Sequence, residues 1–502
     1  MKTLMTASVR PQPHAPCRPP SWPAARQRTA LSPHLGDLTG RLPVALPAHK
    51  PLWFLLLALV AASHWQPGCT AAAPLLKLGV AARDITPTPP IWLAGYAARK
   101  RPADKVDHPL VAQALAFRNP TGERAVFVTV DNCEVSDTFT APVLADLASK
   151  HGLRPGETMI VSSHTHAAPV LEGALSGMYP LAATDQDRLS QYGKELRERL
   201  VEVVGAALSE LRPGRLEYGV GRCTFAMNRR SFATEQVTIG ENPEGPVDWQ
   251  VPVLRVVGTN GVLRAVVFGY ACHATSIQGD DFYTVSPDYP GYARAHLESV
   301  LPGTVAMFVT GMGADANPAP RGSLLESRRH GLELAGAVMG VLSRPMRPVG
   351  GPGKLAYAEV ELPLVTQPTR EQLQQDAQSQ DVYVRNRATA CLRRLDAGKP
   401  LPGVRLPLSV FRLGDGLTFV AMGGEVVVDY ALRFKRMFSA DHPWTIGYAY
   451  HVPCYIPSAR IVKEGGYEAD SSFIYYGIYG PCKPAVEDVL VKKTSELLAA
   501  VR

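Results

Sequence analysis

Arg124-Ala-Val-Phe-Val-Thr-Val130, followed further on by Thr158-Met-Ile-Val-Ser162 and then Ser163-His164-Thr165-His166, is the stretch from which the fold is read. Each run is apolar, of strand length, and ends in polar residues. Between them Val143, Leu144 and Leu147 recur at helical spacing, so 124–162 reads as a strand–helix–strand unit. Working outward, Leu196, Leu200, Val203, Val204, Ala207, Leu208 and Leu211 form one apolar helical face, stopped by Pro213. Strands are predicted at 252–257, 263–271, 304–310 and 417–422, and a helix at 325–342. Residues 350–415 read as less regular, a helix is expected to open near Glu425, and the tail 483–501 as a surface-docked helix. Neither an internal repeat nor a low-complexity linker interrupts the chain after about residue 75. The expectation is an α/β fold, mixed β-sheets with flanking helices, built as one large catalytic domain over 75–502.

Bulk composition narrows the function. With 46% hydrophobic and 19% charged residues, the chain has the make-up of a globular protein with a large core. Its net charge of +7 is uneven: residues 1–73 hold seven Lys/Arg against Asp37 alone, so the remainder is close to neutral. A near-neutral body offers no electrostatic footprint for nucleic acid, and none is expected as partner. The first 73 residues read as a disordered basic stretch plus a signal peptide, with the apolar run 52–62 preceded by Lys50 and followed by Ala71-Ala72-Ala73. Export is therefore expected, to the periplasm, the medium or the cell surface, with an uncleaved N-terminal anchor as the alternative. Six cysteines follow that segment (Cys133, Cys223, Cys272, Cys391, Cys454 and Cys482), and Cys454 with Cys482 is the pair expected to bridge if any does.

Three strand ends carry candidate chemistry. His164 and His166 are two apart at a strand terminus, a spacing that presents both imidazoles to one metal or one substrate, although each taken alone reads first as a satisfied core histidine. His273 ends the run Leu263–His273 in the same manner. A hydrolytic zinc site takes about three protein ligands and an open position. Glu425, directly after Gly423-Gly424, is a carboxylate where a strand turns over, a position that also suits an acid at a helix N-terminus.

These residues resemble the neutral, non-lysosomal ceramidases. Ser163-His-Thr-His166 with Pro169, Ala271-Cys-His273, Gly424-Glu425 and Cys454-Tyr455-Ile456 occur in the family's order, within a resemblance spanning roughly 77–485 that opens at Gly79–Thr86. It implies zinc held by His164, His273, Glu425 and Tyr455. It also implies a second tyrosine at Tyr467, in Tyr-Glu-Ala register, and an active-site arginine at Arg229, from Asn228-Arg229. Implied roles follow: His166 accepts the proton of the attacking water, and Arg229 and Tyr467 stabilise the developing oxyanion. Tyr475, Tyr476 and Tyr479 are expected only to pack. Where the family has a serine, this chain reads Gly311-Met-Gly-Ala-Asp315-Ala-Asn317, so Asp315 and Asn317 are candidates for binding substrate or orienting a ligand. Asp288, in Ser286-Pro-Asp288-Tyr-Pro-Gly-Tyr292, keeps the family's acid. The family's immunoglobulin-like domain is expected to be absent, since Arg502 follows Pro481 closely.

The reaction implied is hydrolysis of a linear amide, as in N-acylsphingosine (ceramide) or a related N-acyl lipid. The alternatives are a zinc hydrolase for a smaller polar amide or ester, and an exported binding protein without turnover. The partner expected is a small-molecule or lipid substrate, with peripheral membrane contact allowed.

Overall fold

Arg124–Val130 and Thr158–Ser162 pair in parallel, joined by the helix Asp137–His151, as the opening motif requires. Ser136 starts that helix by accepting from the Phe139 amide at 3.0 Å, and Gly152, at φ 63°, closes it. The computed structural model describes residues 76–502, apart from 176, 234, 351, 352, 366, 402 and 415. The basic stretch and the apolar run 52–62 lie outside the described residues.

The main sheet runs, in spatial order, Val305–Thr310, Leu263–Tyr270, Gln250–Gly258, Arg212–Arg222, Leu76–Asp84, Val111–Arg118, Arg124–Val130, Thr158–Ser162, with Arg347–Val349 pairing Arg212–Arg222 as the ninth strand. A second sheet of four holds Gly353–Glu361, Arg405–Leu413, Leu417–Met422 and Pro443–Ile446. Side chains alternate across both sheets and so assign the layers. Phe117, Phe127 and Val267 face Phe411, Phe419 and Trp444 in a core between the sheets. Their neighbours Ala116, Val128 and Phe268 face outward, the first two toward the helices Asp137–His151 and Ala183–Ser209, the last toward Asp288–Val300 and Leu324–Leu342. On the far side Val420 and Met422 pack beneath the helices Val428–Met437 and Val486–Val501. The result is four layers, helix–sheet–sheet–helix. Strands covered on both faces have no polar side to show, which is why their sequences are continuously apolar. Aromatic rings lock the inner layer: Phe127 meets Phe419 edge-on at 4.8 Å between centroids, a contact of about 0.5–1.5 kcal/mol beyond area burial. Gly79 admits the long helix, because a Cβ there would sit 1.9 Å from the Ala207 carbonyl oxygen.

Four expectations need correction. Residues 350–415 are regular: the strands Gly353–Glu361 and Arg405–Leu413 form an antiparallel pair, with helices Arg370–Asp376 and Val382–Asp396 between them. The longer of those helices buries only Ala388 and Cys391, so no apolar stripe marks it in the sequence. Glu425 opens no helix; Glu425–Val426 is a short strand and the helix starts at Val428. Cys454 and Cys482 are both free thiols, buried in one apolar cluster where they pack as small hydrophobic side chains. The long helix ends at Ser209, and Pro213 lies inside the next strand. No helix among the described residues is long and apolar enough to cross a membrane.

Candidate active site

The chemistry gathers where parallel strands end. His164 follows the strand ending at Ser162, His273 the strand ending at Tyr270, and Glu425 the strand ending at Met422, so the layered core delivers all three to one edge. Glu425–Val426 then pairs in parallel with Tyr455–Ile456, directly opposing Glu425 and Tyr455. His164 sits beyond its strand in the left-handed region, at φ 59°, an uncommon conformation for a residue with a Cβ. The two histidines of the HxH converge through this turn rather than by strand alternation, and their Nε2 atoms stand 3.1 Å apart. Gly95, at φ 94°, packs against His166; a Cβ there would fall 2.3 Å from its Cγ. Tyr96 adds an edge-on ring contact to the same imidazole at 4.7 Å.

Ligand-type atoms converge on one point. Nε2 of His164 and of His273 lie 3.2 and 3.1 Å from the same Glu425 oxygen, Oε2. The Tyr455 hydroxyl is 3.3 Å from Nε2 of His273. Nδ1 of His164 lies 2.8 Å from the Cys133 carbonyl oxygen, which can only accept, so Nδ1 carries a hydrogen and Nε2 is the atom turned toward Glu425. Burial alone would raise the Glu425 pKa, but His164 and His273 outweigh it and hold the carboxyl well below its ordinary range. With Nε2 free of hydrogen, as a metal ligand must be, the two imidazoles and the carboxylate could share one cation. His164, His273 and Glu425 offer ligand atoms that all lie within 4.8 Å of one another, and this N/O set suits a zinc-type ion. Cys133, His164 and His166 form an overlapping group.

Arg229 closes the site. It donates from Nη2 to the Tyr455 hydroxyl at 3.0 Å, from Nη1 to Asn317 Oδ1 at 3.3 Å and from Nε to Glu468 at 2.8 Å. Glu468 also accepts from Arg230 at 2.7 Å, so one buried carboxylate anchors two buried guanidinium groups. His166, Arg229, Asn317, Tyr455 and Tyr467 line one cavity of about 260 Å³. The Tyr467 hydroxyl makes no hydrogen bond among the described residues, and burial raises its pKa, so it keeps its proton. Burial and the neighbouring imidazoles of His164 and His273 push His166 well below the usual histidine range, leaving it neutral.

Two candidates stand apart from this cavity. Asp315 accepts from the Val428 amide at 2.8 Å and from Asn228 Nδ2 at 3.1 Å, tying the Arg229 strand to the helix after Glu425. Asp288 accepts from the Ser276 amide and the Ser327 hydroxyl, each at 2.8 Å, bracing the loop after His273. Both shape the backbone around the site rather than its wall.

Several site residues escaped sequence reasoning. Tyr476, expected only to pack, donates to Glu425 Oε1 at 2.6 Å and lies 3.2 Å from Glu134. A phenol has one hydrogen, so Glu134 is the donor on the far side; burial first, and the Glu425 charge second, push its pKa well above the carboxylate range and keep it protonated. Tyr448 lays its ring 4.3 Å from His164 and donates to Glu425 Oε2 at 3.2 Å. Its position just past the strand Pro443–Ile446 is the signal that could have found it.

Comparison with known proteins decides the family. Residues 76–320 match the family described as neutral/alkaline non-lysosomal ceramidase, N-terminal. Residues 76–320 belong to that family. The chain is 28% identical to the neutral ceramidase of Pseudomonas aeruginosa over 282 residues, covering 53% of this chain and 40% of that protein. Against the rice neutral ceramidase the figures are 30% identity, 49% and 31%. The match therefore spans well under half the length of these relatives. Among solved structures, "Ceramidase complexed with C2" superposes with a TM-score of 0.66 at 20% identity, over 86% of this chain and 75% of that one. The crystal structure of the P. aeruginosa neutral ceramidase gives 0.65 at 20% identity, over 85% and 74%. The ceramidase fold thus extends well past residue 320, to the half of the chain that carries Glu425 and Tyr455.

Proposed function

We propose that this protein is an exported, zinc-dependent hydrolase that cleaves the amide bond of an N-acyl lipid, with N-acylsphingosine the substrate class its relatives' names favour. The observation that carries the reading is the convergence of His164, His273 and Glu425, each at the end of a different strand, with ligand-type atoms all within 4.8 Å of one another. His164, His273, Glu425 and Tyr455 would hold the ion. When bound, zinc lowers the pKa of a water toward about 7 and polarises a carbonyl.

The chain's own residues then divide the remaining work. His166 is neutral and faces the convergence point, so it takes the proton of the attacking water and passes it to the leaving nitrogen. Arg229 spends three N–H groups on Glu468, Asn317 and Tyr455, and the rest of its fork faces the cavity with the free Tyr467 hydroxyl. Together they suit an oxygen that gains negative charge. Tyr476 and Tyr448 hold the Glu425 carboxylate in one orientation.

Metal analysis of purified protein, with hydrolysis of N-acetylsphingosine before and after chelation, tests the proposal. Stoichiometric zinc and chelator-sensitive turnover are expected. Folded protein without zinc would favour a binding role, and turnover confined to short polar amides or esters would exclude the lipid.

A further inference from the structure

Beside the catalytic groups, the cavity of about 260 Å³ is walled by Arg321, Gln278 and Thr275. Asp and Glu are both missing from its lining among the described residues. The two arginines on its wall differ in one respect. Arg229 is neutralised by Glu468 at 2.8 Å. Arg321 is half-buried and makes no hydrogen bond or ion pair among the described residues. Glu241 lines the adjoining cavity that Arg321 also borders, yet it is exposed and forms no ion pair with it. The Asp288 carboxylate, which contributes to the field at Tyr96 as Arg321 does, is already taken by Ser276, Ser327 and the Tyr289 amide.

A guanidinium withdrawn from bulk water normally finds a carboxylate, because its five N–H groups are costly to leave unpaired. An unneutralised arginine on the wall of a reaction cavity without acids is a built-in anion receptor. We infer that Arg321 selects substrates carrying an anionic group, a carboxylate or an acid of similar geometry, within reach of the scissile amide. The inference rests on the proposed amide hydrolysis and adds to it a preference, within the N-acyl class, for members that carry such an anion over uncharged ones such as N-acylsphingosine. Gln278, Thr275 and Tyr96 offer further polar contacts around the same group.

N-Hexanoylglycine and N-hexanoylethanolamine are nearly the same size and differ in charge, so they isolate the effect. Titration calorimetry of the intact, metal-loaded protein should show tighter binding of N-hexanoylglycine, weakening as salt is raised. Arg321→Met should weaken that binding roughly 10- to 100-fold, as loss of a charge-assisted bidentate contact does, and leave N-hexanoylethanolamine unchanged. Arg321→Lys should restore part of the preference, which also shows that the site still folds. Adipic acid mono-propylamide moves the charge to the acyl side, and the preferred compound identifies which side of the amide faces Arg321. Equal binding of charged and neutral compounds by the wild type, or an unchanged preference in Arg321→Met, overturns the inference. Failure of the hydrolase reading looks different: anion-selective binding persists while no N-acyl compound, N-acetylsphingosine included, is cleaved.

Discussion

Alanine at position 468 would strip the shared anion from two buried guanidinium groups. Glu468 and Arg230 are each 1% exposed and Arg229 6%, so water cannot replace the lost partner. Arg230 retains Glu464 at 3.1 Å and the Gly465 carbonyl at 2.8 Å, whereas Arg229 keeps only the neutral Tyr455 and Asn317 oxygens. The cost therefore falls mainly on Arg229, and breaking a buried pair from one side is worth about 3–5 kcal/mol. Glu468→Gln, which still offers an oxygen to one arginine, should lose less. Urea unfolding followed by tryptophan fluorescence and by far-ultraviolet circular dichroism gives the difference wherever the two probes coincide. The double variant Arg229→Met, Glu468→Ala removes the stranded charge and should be more stable than Glu468→Ala alone, a coupling of opposite sign to simple addition. Turnover of Glu468→Ala should also fall more than tenfold with zinc content unchanged, because Arg229 loses its orientation. Stability of Glu468→Ala within about 1 kcal/mol of wild type, or losses that simply add in the double variant, would refute the reasoning.

His164→Ala should abolish zinc binding and activity together, while His166→Ala should retain zinc and lose turnover; equal metal loss in both would contradict the division of roles. Tyr476→Phe removes the hydroxyl between Glu134 and Glu425, and zinc affinity in a competing-chelator titration should fall about 10–100-fold. Burial raises the Asp315 pKa from 3.8 to about 6, a shift that favours the protonated folded state. Its contribution to stability is thus greatest below its ordinary value and is lost as pH rises through about 6, so Asp315→Asn should flatten the stability–pH curve across that interval in paired denaturant titrations.

Strand-forming segments were legible because burial on both faces leaves them wholly apolar: Arg124–Val130, Thr158–Ser162 and Leu417–Met422 are found where their patterns put them. The strand Gly353–Glu361 was not, since its alanines and partly exposed positions carry neither a continuous run nor a clean alternation. At the site, His164, His273, Glu425 and Tyr455 are brought together as the resemblance implied. The groups that orient them were invisible. A glutamate such as Glu134 or Glu468 reads as surface until a fold buries it, and nothing in the spacing of Tyr476 distinguishes a ligand-holding phenol from one that packs. Asp288 and Asp315 show the converse: acids in suggestive motifs that brace backbone instead of facing the cavity.

The two sheets divide the donor set between them. His164 and His273 hang from the nine-stranded layer, Glu425 from the four-stranded one, and Tyr455 is clipped to Glu425. Any ion gripped there rivets the seam between the layers, so loading must follow their docking and cannot guide the first half of a nascent chain. A cut between the halves would leave each with an incomplete claw.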